Sequence, residues 1–174
     1  MRKITTPLIK SVRTGLKTGE EVRLTGTIYT ARDQAHQRLC RMIAEKKSLP
    51  FKMKDSVIYY AGPTPVRQDG FFGSCGPTTS SRMDNFTPLI LKKGLGGMIG
   101  KGRRSEEVRN SIRKNKAVYF LTIGGGGAYL AKRITFSEII AFPELGPEAI
   151  YRLEVKDFPL MVGIDSNGKD IYGD

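Results

Sequence analysis

Residues 22–47 read VRLTGTIYTARDQAHQRLCRMIAEKK, and two different periods meet inside them. Residues 22–30 are β-branched and broadly alternating, the pattern of a strand. From Ala35 onward apolar residues return at helical spacing, at Leu39, Met42 and Ile43. Thr30 and Asp33 fit the S/T-x-x-D/E capping pattern, which predicts a helix opening beside Thr30, and residues 48–50 end it. A strand that feeds straight into a helix is the building unit of an α/β fold.

The rest of the chain repeats and then departs from that unit. Residues 55–62 are predicted as a short strand, followed by a Gly/Pro-rich loop to Pro77 that is longer than a connection needs. A second helix is expected, capped by Thr79 or a neighbour and carrying Met83, Phe86, Leu89, Ile90 and Leu91, with Pro88 kinking or splitting it. GGMIGKG (96–102) reads as a short strand entering a loop. Ser105 is the predicted cap of a third helix, with Glu106 and Glu107 in its first turn to complement the dipole. AVYFLTI (117–123) is the clearest strand. A short helix at 128–132, a strand at 134–142 and one or two further strands follow, with Asn167-Gly168 suiting a hairpin turn. The β-rich tail argues against a simple doubly wound sheet, and no linker or internal repeat divides residues 1–174.

Composition narrows the function classes. The 29 Lys and Arg against 17 Asp and Glu leave a net charge of +12, which suits an anionic partner or a solvated basic face. The basic residues are scattered, never more than two together, and no Trp or RNA-binding aromatic motif accompanies them, so nucleic acid is the weaker reading. Cys40 and Cys75 match no CxxC pattern and cannot alone ligate zinc or an iron–sulfur cluster, which want three or four ligands. The N-terminal residues lack the apolar run of a signal peptide and no stretch approaches a membrane span, so the expected location is the cytoplasm, with no membrane partner.

Three strand-to-helix junctions carry the candidate chemistry. Arg32 follows the first strand, Thr78 and Arg82 flank the start of the next helix, and Lys101 precedes the Ser105 cap. Helix-start amides with an added cation or hydroxyl form an anion-binding arrangement, and in open α/β sheets such junctions gather at the carboxyl ends of strands. Two cations set apart suit the two carboxylates of a dicarboxylic acid, Arg as a bidentate fork and Lys as a point charge. A cation at a helix start opposes the dipole, so a compensating anion is expected, and a bound carboxylate would serve. His36, the single histidine, lies four residues after Arg32 and reads either as a general base or as a packing residue. The glycine run from Gly124 to Gly127 reads as an amide nest or as a plain turn.

Taken together, GTIYTARDQAHQRL (26–39), GPTTSSRMD (76–84), GKGRRS (100–105) and AVYFLTIGGGGAYLAKRI (117–134) resemble the beta subunit of class I, iron–sulfur-dependent fumarate hydratases. The closely related beta subunit of L(+)-tartrate dehydratase is similar too. The resemblance implies a single swivelling β/β/α domain with a mixed sheet, an Fe–S hydro-lyase catalytic domain spanning 1–174. It implies an enzyme that hydrates fumarate to (S)-malate, or dehydrates tartrate, only with an alpha subunit that carries the 4Fe–4S cluster. The expected assembly is a hetero-oligomer, a dimer of heterodimers, in which this chain ligates no metal. By the same resemblance Arg32, Arg82 and Lys101 bind the substrate carboxylates and Thr78 is the catalytic base, while the proton donor to the leaving hydroxyl comes from the partner. The rival assignment for Thr78 is a helix cap. A non-catalytic basic domain that binds an anion or nucleic acid is the alternative of another class.

Overall fold

The computed structural model describes residues 1–122 and 126–173. In chain order the elements are β1 (Arg2–Thr5), α1 (Lys10–Arg13), β2 (Glu21–Thr30), α2 (Asp33–Ala44) and β3 (Val57–Tyr59). A 3-10 turn (Ser80–Met83), α3 (Thr87–Lys92), β4 (Gly97–Gly100) and α4 (Glu106–Asn115) follow. The chain then forms β5 (Val118–Thr122), α5 (Gly127–Ala131), β6 (Ile134–Ala141), a 3-10 segment (Pro143–Glu148) and β7 (Ile150–Ile164).

The seven strands make one mixed sheet in the order β1-β2-β3-β4-β5-β7-β6, and an added β2–β7 pairing closes it into a small barrel-like ring. β1 to β5 run parallel to one another, whereas β7 is antiparallel to β2, β5 and β6. β7 is the closing piece. Its 15 residues reach all three antiparallel partners, so the tail holds one long strand where one or two were expected.

Side-chain alternation on short strands splits the core in two. Successive residues of a strand point to opposite faces. Val57 and Tyr59 of β3, Ile99 of β4, and Val118 and Phe120 of β5 join one buried cluster with Leu24 and Ile28 of β2 and Phe158 and Leu160 of β7. Ile58, Met98 and Tyr119, their immediate neighbours, join a second cluster with Leu39 of α2, Ile90 of α3, and Val108 and Ile112 of α4. Fully burying one such side chain contributes roughly 1.5–3 kcal/mol, so both faces of these strands stabilise the ring.

Helix starts follow the sequence in part. Ser105 caps α4 as predicted, accepting from the Val108 amide at 3.2 Å, with Glu106 and Glu107 in the first turn. Pro88 does split the second helix, leaving a 3-10 turn and a short α3 with the proline in its first turn, where its missing N–H is harmless. Thr30 does not cap α2. Its hydroxyl is drawn to the next strand, accepting from the Tyr151 amide at 3.1 Å and lying 3.4 Å from the Ala149 carbonyl. Arg32 occupies the cap position, and Glu148 approaches the Gln34 amide at 3.4 Å instead.

Candidate active site

Three adjacent parallel strands end side by side, and the candidate residues follow those ends. Arg32 comes after β2, the Thr78 segment after β3, and Lys101 after β4. With strands about 4.8 Å apart, the junctions span roughly 10 Å. Arg32, Thr78, Arg82 and Lys101, scattered over 70 positions of sequence, are thus gathered at one end of the ring.

The long loop after β3 closes on itself to deliver Thr78. Ala61 and Pro77 form an antiparallel bridge, and the Thr78 amide donates to the Tyr60 carbonyl at 2.7 Å. Phe72 and Cys75 anchor the excursion by burial, and the Tyr59 hydroxyl donates to the Cys75 carbonyl at 2.5 Å. Thr78 is partly exposed, and its hydroxyl makes no hydrogen bond among the described residues. Thr79 stands at the cap position of the 3-10 turn, yet no side chain caps that turn. The expectation that Thr79 caps this segment is therefore not met, because Thr79 pairs by backbone with Lys101 and is exposed.

Arg32 lies over Gly62. A Cβ placed on that glycine would sit 3.0 Å from Arg32 Nη1 and 3.1 Å from its Cδ, so only glycine leaves room for this side chain without displacement. Arg32 Nε is buried with no hydrogen-bond partner among the described residues, and so is Asp33 Oδ2. The other oxygen of Asp33 accepts from Arg82 Nε at 3.1 Å. Asp33 thereby supplies negative charge in the first turn of α2. Arg82 remains about half exposed, with 53% of its side chain accessible.

Lys101 is exposed at its side chain but pinned along its backbone. Its amide donates to Ser80 Oγ at 3.0 Å and its carbonyl accepts from the Ser80 amide at 3.1 Å. Gly100 makes this possible: a Cβ there would lie 1.9 Å from Ser80 Oγ. Beneath the loop, buried Arg104 donates to Asp84 Oδ1 at 2.7 Å and to Thr87 Oγ1 at 2.8 Å, and lies about 5 Å from the rings of Tyr60 and Tyr119. Asp84 also accepts from the Ser105 amide at 2.8 Å. Burial works against the Arg104 charge, but Tyr60, Asp84 and Tyr119 outweigh it and hold the guanidinium protonated. Sequence reasoning missed Ser80, Asp84, Arg104 and Tyr119; the one available signal was the Arg103-Arg104 doublet two residues beyond Lys101.

His36 is a packing residue here. Burial pushes its imidazole down to about 4, and Nδ1–H donates to the Arg32 carbonyl at 2.8 Å, while the ring meets Tyr60 edge-on with centroids 5.4 Å apart. Both cysteines are free: Cys40 is half-buried on α2, and Cys75 is buried, its thiol pushed up to about 12 by that burial. Among the described residues no group of three or more His, Cys, Asp or Glu is placed to hold a metal ion. No helix among them is long and apolar enough to cross a membrane. Of the glycine run at 124–127, read as an amide nest or a plain turn, Gly124 and Gly125 lie outside the described residues.

The family described as Fumarase C-terminus matches residues 3–174, nearly the whole chain. The chain belongs to that family. It is 44% identical over 152 residues to "Fumarate hydratase class I, anaerobic" of Escherichia coli, covering 86% of this chain and 28% of that protein. It is 43% identical over 156 residues to "Fumarate hydratase 2" of Leishmania major, again 28% of that protein's length. With "Putative L(+)-tartrate dehydratase subunit beta" of Methanocaldococcus jannaschii it shares 39% identity over 163 residues, covering 90% of this chain and 84% of that one. The chain therefore spans about a quarter of the fumarate hydratases, and most of a protein named as a separate subunit.

Proposed function

We propose that this chain is the beta-type part of an iron–sulfur hydro-lyase that hydrates fumarate to (S)-malate reversibly, residues 1–174 acting as one catalytic domain. Arg32, Arg82 and Lys101 grip the two carboxylates, and Thr78 removes the proton. Tartrate dehydration is the alternative substrate reading, favoured by the relative of similar length, which carries that name. The 4Fe–4S cluster, which would supply Lewis-acid chemistry to the departing hydroxyl when bound, is assigned to a partner subunit, since Cys40 and Cys75 are fewer than the three or four ligands a cluster wants. The proton donor to that hydroxyl is assigned to the partner as well.

The observation that carries the reading is the state of the polar groups around Thr78. Its hydroxyl caps nothing, Arg32 has a buried Nε with no partner, and Lys101 presents an exposed ammonium on a fixed backbone. An alcohol ionises little near neutrality, and neighbouring cations favour its charged form, so Arg82 and Lys101 give Thr78 basic character that solvent alone would not. As the proton leaves the α-carbon, negative charge builds on the adjacent carboxylate. A cation already held there stabilises the transition state more than the ground state.

The test is an anaerobically reconstituted complex with the cluster-bearing partner, assayed against malate, fumarate and tartrate. Thr78→Ala should lower kcat by about 100-fold or more while dicarboxylate binding changes by less than about threefold. Near-parental turnover in that variant would refute the base assignment. Turnover by this chain alone, without iron, would overturn the division of labour between subunits.

A further inference from the structure

Tyr119 lies on β5, buried in the second core cluster, and its hydroxyl has two polar neighbours. Tyr119 Oη is 2.8 Å from Ser80 Oγ and 2.9 Å from the Gly102 carbonyl oxygen. A phenol carries one proton and a carbonyl only accepts, so the Tyr119 O–H donates to Gly102 and its lone pair receives the Ser80 O–H. Ser80 Oγ then uses a lone pair to accept from the Lys101 amide at 3.0 Å. The order of donors is thus Lys101 N–H to Ser80, Ser80 O–H to Tyr119, and Tyr119 O–H to Gly102. Each proton is used once, and the chain begins at Lys101 and ends at Gly102, the residue that follows it. Burial pushes the Tyr119 phenol well above its ordinary range, so the terminal proton is retained across neutral pH.

We propose that Tyr119 is a positioning residue for catalysis: acting through Ser80 and Gly102, it fixes the backbone from which Lys101 reaches the substrate carboxylate. This rests on the reading of Lys101 as a carboxylate ligand. The reason such a link matters is geometric. The Lys101 side chain is a flexible point charge placed only by its backbone, and a displacement of about 1 Å in a positioning group can lower a rate by up to about 100-fold. A ring alone would satisfy the packing of β5 and the contact with Arg104 at 4.9 Å, so the hydroxyl is the informative atom.

The experiment is a double-mutant cycle in the cluster-loaded complex, with Tyr119→Phe, Lys101→Ala and the pair together, measuring kcat/KM for fumarate. Tyr119→Phe keeps the ring and should lower kcat/KM about tenfold, Lys101→Ala about 100-fold, and the double variant no further than Lys101→Ala alone. Ser80→Ala cuts the same chain from its other end and should be equally silent in the Lys101→Ala background. A readout independent of turnover is hydrogen exchange: the Lys101 amide should lose protection about tenfold in Tyr119→Phe while the β5 amides keep theirs. If the effects of Tyr119→Phe and Lys101→Ala multiply, or if Lys101 exchange is unchanged, the positioning role is overturned. If Lys101→Ala itself is near parental, the carboxylate-clamp reading falls, whatever the exchange data show.

Discussion

On the Lys101 flank of the site, the buried polar groups of Ser80, Asp84, Arg104 and Tyr119 are all hydrogen-bonded to one another or to the loop backbone. On the Arg32 flank, two buried polar atoms, Arg32 Nε and Asp33 Oδ2, have no partner among the described residues. Both flanks contain an Arg–Asp pair at similar distance, 2.7 Å for Arg104–Asp84 and 3.1 Å for Arg82–Asp33. What separates them is solvent. The Arg104 side chain is fully buried, whereas that of Arg82 is about half exposed. A buried pair with satisfied partners serves as scaffold, because breaking it strands a charge in a low-dielectric interior. An exposed pair beside unpartnered polar atoms is free to exchange its partner for a ligand at small cost.

The widest gap should appear when each aspartate is neutralised. Asp84→Ala removes the charged partner of a buried guanidinium and should destabilise the fold by about 3–5 kcal/mol, a loss of roughly 6–20 °C in Tm for a chain of this size. Asp33→Asn should change stability by less than about 1 kcal/mol, since its partner is already solvated. Thermal melts of the two variants decide the matter, and equal shifts would erase the distinction between scaffold and ligand-facing pair.

His36 sharpens the comparison because it belongs to α2, on the Arg32 flank, yet is built like the opposite side. Its folded value near 4 lies below the ordinary 6.5, with burial as the main cause, the Arg32 carbonyl raising it, Arg104 lowering it and Asp33 raising it. Between those two values the unfolded chain binds a proton that the folded chain refuses. Stability is therefore fully retained above about 6.5 and falls as pH drops towards 4, by about 3 kcal/mol in total from this one group. The measurement is the stability of the parent and of His36→Gln between pH 7 and 4. The parent should show the steeper decline, and parallel curves would mean that His36 titrates normally and is solvated.

These contrasts also show how far the residues alone could be read. The short apolar run that holds Val57–Tyr59, the Ser105 cap and the Pro88 break were legible because each is a local rule with a local cause. The gathering of Arg32, Thr78, Arg82 and Lys101 could be expected only from their shared place after strands. Thr30 misled because a tertiary neighbour, β7, captured its hydroxyl before the helix could. Arg104 was hidden for a simpler reason: the Arg103-Arg104 doublet marks a basic spot, but nothing local says which of the two is buried between two tyrosines. Asp33 offers the instructive middle case. A cation at the start of α2 calls for an anion nearby, and the next residue in the chain provides one.

The smallest effect should come from the exposed member of the comparison. Arg82 donates to Asp33 through Nε alone, which leaves its terminal amino groups for a carboxylate approaching from solvent. Lysine keeps the charge but lacks the planar fork, so Arg82→Lys exchanges a bidentate contact for a point charge. The loss should be about tenfold in KM for fumarate with stability unchanged within about 0.5 kcal/mol, because the side chain is half in water before any ligand binds. Steady-state kinetics of the complex and a melt of the same sample check both halves. A variant that melts early yet keeps its KM would place Arg82 with the scaffold, beside Arg104, and leave Arg32 and Lys101 as the clamp.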